Sequence, residues 1–207
     1  MDAILEMPIL GYFILGFSIA AYIPLVFGVI KQKDESQTFF TWILYFGLDF
    51  ITYISNKAVV KGAWIILFGF AIGSFIMSLI LALQKRWGWK LPETFTFVLV
   101  AFCVFIWKTA GPYWSFRFGF VSESIVGLYL AYKTFKKPKV EYNLLGYIFF
   151  FVVCIIVIVA LMITNKRADW SFELLGYPIC EACISALTCY PLFKKLKEER
   201  INYFLIQ

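Results

Sequence analysis

The chain has no histidine, and charged residues fill only 15% of its 207 positions. Without histidine there is no Ser-His triad, no histidine-ligated metal and no phosphohistidine chemistry. Charge this sparse falls well below the roughly 25% of an ordinary soluble domain, which excludes disorder and most soluble folds. G-x-S-x-G, C-x-x-C-H, P-loop and dinucleotide fingerprints are also missing. An aspartyl intramembrane protease needs two membrane aspartates, and only Asp49 lies inside an apolar run. A retinal-type Schiff base needs a lysine within the last run, which has none before Lys194. The chain is therefore expected to be no enzyme and to carry no cofactor.

What is present is apolar. Hydrophobic residues reach 62%, Phe alone contributes 24, and mean hydropathy is +0.81. A spanning helix needs about 20 apolar residues. Seven runs approach or pass that length: 9–30, 39–55, 62–83, 92–107, 113–132, 143–164 and 171–193. The second and fourth are shorter and are flanked by interfacial aromatics. None alternates with a period of two, so an outer-membrane barrel is excluded. The segment before Pro8 carries Asp2 and Glu6 but no Lys or Arg, unlike a signal peptide. The first run is thus expected to remain as a helix. The five cysteines, Cys103, Cys154, Cys180, Cys183 and Cys189, all sit inside apolar runs as small packing residues.

The net charge of +6 arises from short basic clusters between the runs. That distribution reads as bilayer topology, with the lipid bilayer as partner and no nucleic acid. Segments after the first, third, fifth and seventh runs hold thirteen Lys and Arg, against six on the other side. Positive residues face the cytoplasm, so the N-terminus is expected outside and the C-terminus inside. Trp87, Trp89, Trp114 and Trp170 lie near run ends, where interfacial belts form.

A weak internal repeat is visible. "AYIPLVFGVIKQKDESQTFFTWILYF" and "GLYLAYKTFKKPKVEYNLLGYIFF" align at an offset near 105. Both leave the membrane through lysines and re-enter through aromatics. The third and seventh runs also end alike, in "LQKRWGWK" and "LFKKLKEE". Three helices repeated in one orientation need an inverting helix between them. The expected fold is therefore an all-α membrane protein of seven transmembrane helices: two parallel three-helix repeats joined by a linker helix. The boundaries are 1–88, 89–111 and 112–207 with a short cytoplasmic tail.

The stretch "YIPLVFGVIKQKDESQTFFTW" resembles the PQ-loop of SWEET, SemiSWEET and lysosomal PQ-loop proteins. Tyr22, Pro24, Lys31, Lys33, Ser36 and Trp42 fall at matching places. The motif's glutamine is replaced by Leu25, and the second copy reads Leu130–Ala131. The resemblance implies a 3+1+3 helix plan with the N-terminus outside and passage of a small solute by alternating access. A similar architecture also serves a cargo receptor, so the alternative is a non-transporting receptor or assembly protein.

Three acids lie about ten residues into their runs, roughly 15 Å deep at 1.5 Å per residue: Asp49, Glu123 and Glu181. A charge at that depth costs about 2.5–3.5 kcal/mol on insertion scales. It is tolerated facing the bundle interior, or as a neutral carboxyl bonded to Tyr, Ser or Thr of another helix. The first case makes a central site for a cationic solute, a coupling cation or a proton. Trp42, Tyr45, Trp64, Trp107, Tyr129 and Tyr177 are candidates to complete it, because aromatic faces attract cations. Ser74 and Ser78 are candidates on the third run. Pro24 removes a helix hydrogen bond and is the expected gating hinge, with Pro178 and Pro191 expected to kink the last run. Glu93 and Glu173 are expected at the interface. The "CEAC" of Cys180–Cys183 presents two thiols, an incomplete soft-metal site that reads as packing.

Overall fold

The computed structural model describes residues 8–31, 38–59, 64–135, 141–164 and 172–206. Every regular element among them is helical: α1 Pro8–Ala20, α2 Ile23–Lys31, α3 Phe39–Val59, α4 Trp64–Leu83, α5 Leu91–Thr109, α6 Pro112–Phe135, α7 Glu141–Thr164 and α8 Phe172–Ile206. In a bilayer every backbone amide must be satisfied within the protein, and a helix does this locally. Four stretches are long and apolar enough to cross a membrane: Gly11–Lys31, Ile65–Leu83, Leu91–Thr109 and Leu144–Ile163. α3, α6 and α8 are at least as long, with 21, 24 and 35 residues. These are the three helices that hold the acids.

Burial follows the membrane pattern. Tyr12, Phe27, Phe95, Phe105 and Leu187 are exposed, whereas Asp49, Thr52, Ser55, Ser74, Ser115 and Glu123 are fully buried. Large apolar side chains face outward because lipid solvates them as well as a protein core does.

The first run is two helices. A turn at Ala21–Tyr22 separates α1 from α2, with Tyr22 N donating to Ile19 O at 3.1 Å. Pro24 has no amide hydrogen to offer the carbonyl of residue 20, and its ring crowds that carbonyl. The Tyr22 ring then occupies the break and lies against Gly73 of α4, where any Cβ would collide with it. α8 runs continuously through Pro178 and Pro191 and on to Ile206. Beyond residue 193 the Lys, Leu, Glu and Arg residues are strong helix formers, and Lys194 and Glu198 sit one turn apart.

Glycines set the closest crossings. Gly69 faces Ser18 of α1, Gly119 of α6 faces Thr52 of α3, and Gly146 of α7 faces Leu25 of α2. α4 packs on both α1 and α3, and α8 packs on both α6 and α7. α3 meets α6, while α1 and α2 meet α7. α5 lies outside on α3 and α6, and among its described residues only Glu93, Thr96 and Cys103 are buried. At the α5–α6 turn, Gly111 adopts φ 89, and its amide closes α5 onto Ile106 O at 3.1 Å. That is the left-handed helix ending for which glycine is suited.

Candidate functional site

The core of the bundle holds polar groups where α3, α4, α6 and α8 converge. Asp49 of α3 is fully buried, and its Oδ2 accepts a 2.6 Å hydrogen bond from Ser74 Oγ of α4. Ser74 Oγ also lies 2.8 Å from Phe70 O, one turn back. A serine has one hydroxyl proton. Ser74 shares that proton between the Asp49 carboxyl and the carbonyls of its own preceding turn.

Glu123 of α6 is fully buried as well. Thr52 of α3 and Tyr177 of α8 lie within electrostatic reach of it. Among the described residues, neither Glu123 oxygen has a partner in hydrogen-bond geometry; the same holds for Asp49 Oδ1 and Thr52 Oγ1. Buried polar atoms are satisfied in the great majority of cases. Four oxygens on the facing helices α3 and α6 are thus left without a partner in hydrogen-bond geometry among the described residues. Glu181 of α8 is half-buried and within electrostatic range of both other acids. The three acids therefore share one region of the bundle.

Aromatic rings close one end of this region. Trp42 and Tyr45 of α3 are buried and meet edge-on at 5.9 Å. Tyr22 joins them, 5.9 Å from Trp42 and 5.0 Å from Phe150 of α7. Tyr177 is buried between Phe70 and Phe120, with ring centroids 6.3 and 6.2 Å away. Toward the other end runs a polar seam. Asp49, Thr52, Ser55 and Asn56 recur at helical spacing on one face of α3 and are all buried. Opposite them on α6 stand Ser115, Gly119 and Glu123. Ser55 Oγ donates to Ser115 Oγ at 3.1 Å, and Ser115 Oγ donates to Cys103 O of α5 at 3.1 Å.

Of the expected site residues, the fold gathers Asp49, Glu123, Glu181, Trp42, Tyr45, Tyr177 and Ser74 in this core. It places Tyr129 elsewhere: half-buried on α6, Tyr129 lines a groove against α5. Trp107 is also apart, at the far end of α5 with the Lys108 ammonium 5.1 Å from its ring. Ser78 bonds its own helix at Phe75 O. Glu93, expected at the interface, is buried against its neighbours. It accepts from Thr41 Oγ1 at 2.6 Å and from its own helix's Lys90 N at 3.0 Å, capping α5 while tying it to α3. The two thiols of "CEAC" diverge, Cys180 half-buried 3.3 Å from Ser124 Oγ and Cys183 exposed. Lys33, Ser36 and Trp170, and the side chains of Trp64 and Glu173, lie outside the described residues.

Tyr22 and Thr52 were missed as site residues. Thr52 had a signal, one turn beyond Asp49 and followed by Ser55 and Asn56. Tyr22 had little, since aromatics are 21% of the chain. Comparison with protein-family models, with characterised proteins and with solved structures finds no match to this chain.

Proposed function

We propose that this chain is a seven-span membrane protein of PQ-loop/SWEET-like plan that passes a small cationic or proton-coupled solute. α1–α2, α3 and α4 form one bundle, α6, α7 and α8 the other, and α5 is the inverting linker. The packing supports a two-fold relation between the bundles. Exchanging α1–α2 with α6, α3 with α7 and α4 with α8 maps each principal contact between these helices onto another. At an offset of 105 Asp49 corresponds to Cys154 and Ser18 to Glu123, and at 107 Ser74 corresponds to Glu181. Corresponding mid-helix positions thus carry buried polar or sulfur-bearing side chains in both bundles, apart from half-buried Glu181.

The observation that carries the reading is the set of orphaned oxygens of Asp49, Thr52 and Glu123 at the α3–α6 contact, where the two bundles meet. Carboxyls without a basic partner beside them suit a cation or a proton. The break before Pro24 is the natural hinge for rocking one bundle against the other. The basic excess on one side orients the N-terminus outside the cell membrane.

The test is flux into proteoliposomes, with and without a pH gradient, against a panel of cations, sugars and amino acids. Wild type is expected to move at least one of them. Glu123→Gln and Asp49→Asn are expected to abolish that flux or uncouple it from pH. Unchanged flux in both variants overturns the carboxyl site, and a reporter fusion placing the C-terminus outside overturns the orientation. The non-transporting alternative draws on one observation, the Ser74–Asp49 bond, which resembles interhelix packing glue. It predicts variants that lose stability in a protein that passes no solute.

A further inference from the structure

A second feature lies at the membrane-facing surface, away from the acids. α5 and α6 leave between them a groove of about 430 Å³. Leu91, Phe95 and Thr96 form one wall, and Ile125, Val126 and Tyr129 form the other. Leu91, Phe95 and Ile125 are exposed there, so the groove opens outward rather than into the bundle. Its volume falls in the roughly 300–1,000 Å³ range of small-molecule sites.

The groove starts at a basic, aromatic collar. Lys90 immediately precedes Leu91, and Lys85 stands in the same 84–90 connection. Both are exposed, and among the described residues no carboxylate is paired with either. The connection is rigidly held. Phe39 N donates to Arg86 O at 2.7 Å, which stitches it to the start of α3. Phe39 packs on Trp87 at 4.8 Å and Phe40 on Trp89 at 4.9 Å. Trp89 Nε1 donates to Thr94 Oγ1 at 2.8 Å, which fixes the collar to the first turn of α5. Trp87 and Trp89 remain about half exposed, as side chains at headgroup depth do.

An apolar furrow between two long apolar helices, with exposed lysines in the connection that leads into it, has the two-part chemistry of a phospholipid. We infer that the α5–α6 groove binds one anionic glycerophospholipid, with an acyl chain along Leu91, Phe95, Ile125 and Val126 and its phosphate at Lys90 and Lys85. Basic pockets between membrane helices hold anionic headgroups in this way. The site is independent of any solute pathway, because α5 packs on the outside of α3 and α6.

Native mass spectrometry of the full-length protein in detergent tests this. Phosphatidylglycerol and phosphatidylcholine with identical acyl chains are the probes. Each interfacial lysine contributes about five-fold to anionic-lipid affinity, so two contribute about thirty-fold. Wild type is expected to retain one phosphatidylglycerol about thirty-fold more tightly than phosphatidylcholine. Lys85→Gln with Lys90→Gln is expected to equalise the two lipids. Ile125→Trp, which fills the groove, is expected to remove the tightly held molecule of either kind. Equal retention of both lipids by wild type, or a preference that survives the double lysine variant, overturns the proposal. The lysine variant changes only exposed side chains, so it remains decisive if Ile125→Trp fails to fold.

Discussion

Replacing Gly119 by alanine tests the contact that joins α6 to α3. A Cβ at position 119 would fall on Thr52 Oγ1, and it would also lie 3.4 Å from Thr52 Cβ. Turning the Thr52 hydroxyl away leaves Thr52 Cβ and Cα 3.4 and 3.7 Å from the added carbon, so the site stays tightly filled. Overpacking of this kind costs about 1–3 kcal/mol. Against it stands the helix preference of alanine over glycine, about 1 kcal/mol. The net expectation is a loss of about 1 kcal/mol. Gly16 of α1 supplies the control, because nothing lies within 4 Å of its added Cβ. Gly16→Ala is expected to gain up to about 1 kcal/mol from propensity alone. The two variants should therefore move in opposite directions in a reversible detergent-unfolding titration. Thr52→Ala removes the obstructing hydroxyl and should restore Gly119→Ala to near its parent. If Gly119→Ala is as stable as Gly16→Ala, or if Thr52→Ala fails to rescue it, the close α3–α6 crossing is wrong.

Two further predictions address the buried polar bonds. A double-mutant cycle with Ser74→Ala and Asp49→Ala should give a coupling of about 0.6 kcal/mol, the average for interhelix hydrogen bonds in membranes, and no more than about 1.7 kcal/mol; a coupling near zero by the same titration removes the bond. Thr41→Val keeps the side-chain shape but deprives buried Glu93 of a donor, at a cost of about 1–3 kcal/mol. Glu93→Gln in the same background should recover part of that loss, since an amide is cheaper to leave underbonded than a carboxylate, and no recovery would argue against the α3–α5 tie.

The polar seam shows what the order of residues reveals and what it hides. Asp49, Glu123 and Glu181 stood out because a bilayer makes acids costly wherever they face. Thr52, Ser55 and Asn56 did not, because hydroxyls and amides are common in membrane helices and become informative only when a partner helix faces them. Tyr129 was misplaced for a related reason. Its position along α6 resembles that of a site residue, but its angle around the helix points it at α5. Glu93 looked interfacial because it begins a helix, and only the approach of α3 brings Thr41 over it. Pro24, Pro178 and Pro191 looked equivalent as helix breakers. In the fold only the first coincides with an interruption between two helices.

By itself the sequence determined that this chain is helical and apolar enough for a membrane, where its long helices lie, and which rare acids fall midway along them. Those properties are local: they depend on hydrophobicity, backbone satisfaction and the cost of charge, each set within a single run. Only the tertiary structure decided which acids share one region, that α3 and α6 form a polar seam, that rings close one end of it, and that α5 stands apart beside a groove. Those facts depend on the rotation of each helix about its axis and on which helices touch. Close-packed glycines and single hydrogen bonds set both, at points far apart along the chain.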